Sequence, residues 1–210
     1  MIAPETFFTF FAASIVLAFA PGPDNIFVLT QSALYGRKAG WLITLGLCTG
    51  LLGHTTAVVI GVAAIIQASA VAFAALKIVG ACYLLYLAWQ AFRAPASAIA
   101  SSSDAAAGPD GLRLYRRGII MNLTNPKVSI FFLAFLPQFV NTARGDVAQQ
   151  MIALGATFIL ATILVFGSVA MVASALGHWL QRSSRAQVVM NRVAAAIFAA
   201  LALRLLLAER

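Results

Sequence analysis

The chain holds 210 residues, of which 62% are apolar and 10% charged, less than half the charged share of an average soluble domain, about 25%. A single soluble core of this length does not absorb so much apolar surface, so an ordinary globular monomer is excluded and the bilayer is the natural solvent. Fourteen Lys and Arg against six Asp and Glu give +8, a balance that would fit nucleic acid only if the charges were gathered in one patch. They are instead spread over short segments between apolar runs, so no nucleic-acid partner is expected.

A membrane span needs about 20 mainly apolar residues. Six such runs occur, at roughly 6–34, 41–66, 71–92, 117–140, 148–176 and 188–208. The fold class expected is therefore all-α, a polytopic transmembrane bundle. The first run imitates a signal peptide, with Ala18, Phe19 and Ala20 resembling a cleavage site. No Lys or Arg precedes it, Pro21 would follow the cut, and apolar sequence resumes at Ile26, so one interrupted span is the better reading.

The interruption is Pro21, Gly22, Pro23, Asp24, Asn25. Each proline lacks an N–H and crowds the preceding turn, so a regular helix stops there. Span two carries Gly46, Gly50, Gly53 and His54; small residues three or four apart let helices approach closely, and His54 is either a packing residue or a proton-relay group. Span three holds Lys77 near its start, within reach of the outer interface by snorkelling. Cys48 and Cys82 lie inside apolar segments without metal spacing and read as packing residues, so no metal site is expected.

The stretch 94–112 is nearly all Ala, Ser, Gly, Pro and Asp and reads as a flexible linker. It separates residues 1–93 from 113–210, two parts of three spans each. Three is odd, so the second part enters the membrane in the opposite sense, the arrangement of inverted repeats in transporters. Span four is broken in turn, at Asn125, Pro126, Lys127, where Asn is a good N-cap and Pro a preferred first helical residue. Asn25 lies 12 residues from Arg37 and Asn125 lies 8 from Arg117, about 18 and 12 Å at 1.5 Å per residue. Half of the hydrocarbon core is about 15 Å, so both breaks reach the midplane, in the first span of each half.

Orientation follows from the short loops. Arg37, Lys38, Arg93, Arg113, Arg116, Arg117, Arg182, Arg185 and Arg192 fall on one side, and Arg144, Arg204 and Arg210 on the other. The nine-to-three bias places both termini outside.

Asp24 is the one acidic residue within any span, and a carboxylate at that depth must be paired, hydrated or protonated. Opposite it, the helix start at Asn125 aims free N–H groups at the midplane and Lys127 adds a full charge. One carboxylate and one ammonium, each beside a helix start, suit a small zwitterion such as an amino acid. Gly22, Asp24, Asn25, Asn125, Pro126 and Lys127 are the candidate substrate contacts; Asp24 and His54 are the candidates for proton coupling; Pro21, Pro23 and Pro126 make the breaks. No HExxH, GxSxG or phosphate-binding GxxxxGK[ST] is present, so an enzyme is not expected, no cofactor is called for, and ion or proton gradients remain as the driving force. A passive channel or a membrane scaffold is the competing reading.

The same residues resemble a known family. PGPDN at 21–25, GRKAG at 36–40, the row Gly46, Gly50, His54, then KIVGACYLLYL at 77–87 and NPKVSIFFLAFLPQFV at 125–140, in this order and at these intervals, are similar to the LysE/RhtB amino-acid exporters, and to their homoserine/threonine branch more than to the lysine branch. Ala88 stands where that pattern has Gly. The resemblance implies a homodimeric inner-membrane protein that expels neutral amino acids of threonine, homoserine or leucine type in exchange for protons.

Overall fold

The computed structural model describes residues 2–20, 22–68, 70–94, 110–182 and 184–207. Among them every regular element is helical. The first span is two helices, α1 (Pro4–Phe19) and α2 (Pro23–Tyr35), bent by 63°. Each begins on a proline that fits the first helical turn, where no N–H is needed. Gly36 ends α2 with φ +80°, a backbone that L side chains rarely adopt, and turns the chain into α3 (Arg37–Ala68) and α4 (Ala70–Arg93).

In the second half α5 (Gly111–Leu123) starts six residues before the apolar run expected from 117. Asp110 caps it, its carboxylate accepting the Leu112 N–H at 3.1 Å, and the Arg-rich first turns are soluble helix formers that a hydropathy criterion passes over. After a 50° bend the short α6 (Pro126–Ile130) runs into a widened π turn, Phe131–Phe135, and a 3-10 turn, Leu136–Phe139. Pro137 has no N–H to return to the preceding turn, which accounts for the loss of α geometry there. Two long helices, α7 (Val147–Arg182) and α8 (Ser184–Leu207), complete the bundle.

Helices α3, α4, α7 and α8 each contain a stretch long and apolar enough to cross a bilayer, and the two bent pairs raise the number to six. Large apolar side chains such as Phe8, Ile60, Val79, Met171 and Leu203 are exposed, as expected where lipid rather than water is the surrounding medium. The linker expected at 94–112 lies outside the described residues apart from its edges.

Helix α3 packs on α5 and on α7, α7 packs on α1 and α2, and α4 pairs with α8. The α3–α5 contact is the most extensive. Gly46 and Gly118 face one another so tightly that a Cβ on Gly118 would stand 2.5 Å from the Ile43 carbonyl and 3.1 Å from the Gly46 Cα. The glycine row of span two thus serves packing within one chain: Gly50 lies against Asn122 and Gly53 against Leu123.

Two apolar clusters result. One, toward the end that carries the termini, gathers Phe10, Leu17, Val128, Phe131, Phe135, Leu154 and Phe158. The other, toward the Arg-rich end, gathers Ala18, Val28, Ile43, Leu47, Leu114, Val165 and Phe166. The two helix breaks occupy the level between them.

Candidate functional site

A broken helix leaves carbonyls at the end of its first half and N–H groups at the start of its second, and at membrane depth each needs a partner. At the first break, the Val16 carbonyl accepts the Ala20 N–H at 3.0 Å. The Asn25 side chain reaches back to donate to the Ala18 carbonyl at 2.7 Å. The Lys127 ammonium, from the other half of the chain, donates to the carbonyls of Ala20 at 3.0 Å and Leu17 at 3.3 Å. The ammonium also passes close to Gly22: a Cβ there would lie 3.1 Å from the Lys127 Nζ. Its extended backbone makes no demand for glycine, so the close approach is the reason for one.

The second break is closed in the same fashion. The Asn125 Oδ1 accepts the Lys127 N–H at 3.0 Å, the N-cap read from the sequence. The Asn122 carbonyl accepts the Asn125 N–H at 3.1 Å and lies 3.1 Å from the Nε2 of His54. His54 is half-buried and its ring stands 5.6 Å from that of Phe132. It touches α5 at the break, while Lys77 is half-buried in the third turn of α4 and does not border the site.

The breaks meet. Asn125 donates its side-chain N–H to the Asp24 Oδ2 at 2.8 Å, joining residues 101 positions apart. Asp24, Asn125 and Lys127 are 3%, 3% and 6% exposed, so a carboxylate and an ammonium are both sealed between the two apolar clusters. Burial of such groups is costly unless hydrogen bonds replace the lost water; Lys127 has replaced it with backbone carbonyls and Asp24 only on one oxygen. Gly22, Asp24, Asn25, Asn125, Pro126 and Lys127 all fall at this one junction. Pro23 and Pro126 open the second helix of each pair, and Pro21 lies outside the described residues.

Beside Asp24 and Lys127 is a small cavity of about 10 Å³, bordered also by Asn122, Phe158, Thr162 and Phe166. That is room for about one water molecule, far below an amino acid. A larger recess of about 510 Å³ opens at the end carrying the termini, lined by Glu5, Thr9, Gln138, Phe139 and Arg204 among others. A row of edge-on and tilted rings separates the two, with Phe139 and Phe10 at 5.0 Å, Phe10 and Phe131 at 5.8 Å, and Phe131 and Phe158 at 5.3 Å between centroids. The larger recess is polar as well, but the buried carboxylate and ammonium of the two breaks are at the small cavity, which in this conformation has no room for an amino acid. Among the described residues no cluster of His, Cys, Asp and Glu could hold a metal ion.

Two residues at the cavity escaped the sequence reading, Asn122 and Thr162. Asn122 had a detectable signal, a polar residue one turn before the break; Thr162 is one of many hydroxyls in apolar helices and had none.

The profile of the LysE type translocator family matches residues 15–209. The chain belongs to that family. Among its relatives, a homoserine/homoserine lactone efflux protein of Salmonella typhi is 35% identical over 177 residues, covering 84% of each chain. An uncharacterized membrane protein of Vibrio cholerae is 33% identical over 88% of each. A leucine efflux protein of Salmonella choleraesuis is 26% identical over 95% of this chain and 93% of the relative. No solved structure matches. The protein is thus a multi-pass membrane member of a translocator family, and the junction of its two helix breaks is the candidate site.

Proposed function

We propose that this protein is a secondary transporter that exports neutral amino acids from the cytoplasm across the bacterial inner membrane, in exchange for protons. The observation that carries the reading is the buried Asp24, bonded across the two breaks to Asn125 at 2.8 Å beside a small cavity. Relatives that efflux homoserine, its lactone and leucine supply the substrate class. The halves are two inverted repeats: a two-fold exchange interchanges the α3–α5 contact with the α7–α1 contact and returns the α3–α7 and α4–α8 pairs to themselves.

The side chains that lock the breaks are the ones a zwitterion would engage. A substrate ammonium bonds to Asp24 at the Oδ1 that Asn125 leaves free. Its carboxylate takes the place of the Leu17 and Ala20 carbonyls at Lys127 and at the N-terminus of α6. Binding therefore releases the end of α1 from the second half, and the site opens. A proton on Asp24 competes with the ammonium for the same oxygens, so one excludes the other, and His54 is placed at the break to pass that proton. Asn25 holds the first break closed around the site. Moving one charge through 100 mV supplies about 2.3 kcal/mol, roughly a 50-fold concentration ratio. Both termini lie outside by the nine-to-three charge bias, and two copies associate in the membrane as the family resemblance implies.

The test is accumulation of labelled L-homoserine or L-leucine in proteoliposomes under an imposed pH gradient. Wild type accumulates substrate uphill; Asp24→Asn keeps the shape and loses accumulation. Mere equilibration by wild type would mean a channel, and undiminished uphill transport by Asp24→Asn would move the coupling role to His54.

A further inference from the structure

We infer that Asn122 and Thr162, together with Asp24, form a three-oxygen seat for the substrate's ammonium; this rests on the exporter reading above. All three border the 10 Å³ cavity, and they come from three elements, α2, α5 and α7. Each presents a buried oxygen with no hydrogen-bond partner: Asp24 Oδ1, Asn122 Oδ1 and Thr162 Oγ1. The residues are 3%, 3% and 2% exposed.

An unmet buried acceptor is destabilising, and three around one small cavity are not what packing alone would select. Thr162 makes the point most directly. Helical hydroxyls elsewhere in the bundle, on Ser14, Thr44, Thr55 and Thr157, bond back to the carbonyl four residues earlier, the ordinary way to satisfy them in an apolar helix. Thr162 does not, and neither do Thr30 and Ser32 in α2; of the three only Thr162 borders the cavity, where valine of the same shape would have served packing alone.

The chemistry of the missing partner follows from the inventory. Two acceptors, the Asp24 and Asn122 oxygens, beside a hydroxyl that can accept as well as donate call for a group rich in donors, and an ammonium, with three donors and no acceptor, fits them. A carboxylate would set oxygen against oxygen at Asp24 and Asn122. The volume admits one water-sized head group, and the remainder of the ligand then faces Phe158 and Phe166. A sodium ion makes the same demand on oxygen ligands, and the assay below separates the two sources.

The experiment is exchange of labelled L-leucine or L-homoserine in proteoliposomes of the full chain. Thr162→Val is expected to raise KM about tenfold or more, the loss expected for one hydrogen bond to a charged donor, with kcat within about twofold and a thermal midpoint in detergent no lower than wild type. Thr162→Ser is expected to restore KM. With wild type alone, leucine methyl ester, which keeps the ammonium, competes, and N-acetyl-leucine, which lacks it, does not. An unchanged KM in Thr162→Val, or wild-type exchange that requires sodium and is inhibited equally by N-acetyl-leucine, overturns the seat while leaving export intact. Absence of exchange of any amino acid by wild type sinks the exporter reading itself.

Discussion

Replacing Lys127 with methionine separates its bond to the backbone from any contact with substrate. The side chain keeps its length and loses its donors. Two buried carbonyls, those of Leu17 and Ala20, are then unmet at about 1–3 kcal/mol each, and Asp24 loses the cation buried next to it. Removing one partner of a buried pair costs about 3–5 kcal/mol. Against this stands the relief of no longer burying an ammonium, so a net loss of about 3–5 kcal/mol is expected in the substrate-free protein. Reversible unfolding in mixed micelles of mild detergent and dodecyl sulfate measures it. In the double variant with Asp24→Asn both charges are gone, and the cycle should recover about 2 kcal/mol or more as coupling between the two positions. Transport should fall for every amino acid tested. A Lys127→Met protein with wild-type stability and impaired transport would refute the clasp and leave Lys127 as a substrate contact only; wild-type stability and transport together would refute both roles.

The glycine contact between α3 and α5 gives a structural test: Gly118→Val drives a branched side chain into the Ile43 carbonyl and the Gly46 backbone, and is expected to cost at least 1–3 kcal/mol by overpacking, read as a lower thermal midpoint. The inverted topology is checked by reporter fusions after Arg93 and after Arg210, expected on opposite faces of the membrane; both on one face would end the repeat argument.

Much of this protein was legible from the order of residues alone. Runs of about 20 apolar residues at six places pointed to a helical membrane bundle, because within one such run only a helix satisfies the backbone groups in lipid, and the structure has four such helices, or six with each bent pair taken as one span. The prolines at 23 and 126 and the Asn at 125 placed the breaks, since a missing N–H and an N-cap act on their own turn and need no tertiary partner. Even the convergence of Asp24 with Lys127 followed from counting residues to the midplane. Where the donors and acceptors point was a different matter. Lys127 might equally have faced Asp24 or a lipid headgroup; it bonds to Leu17 and Ala20 because a carbonyl freed 107 to 110 residues away happens to need it. The glycine row of α3 was open to a partner chain until Gly118 and Asn122 were seen to fill it. Asn122 and Thr162 became site residues only when α5 and α7 were placed beside α2, because an unmet hydrogen bond is defined by what surrounds an atom, and those surroundings are assembled by helices far apart in sequence.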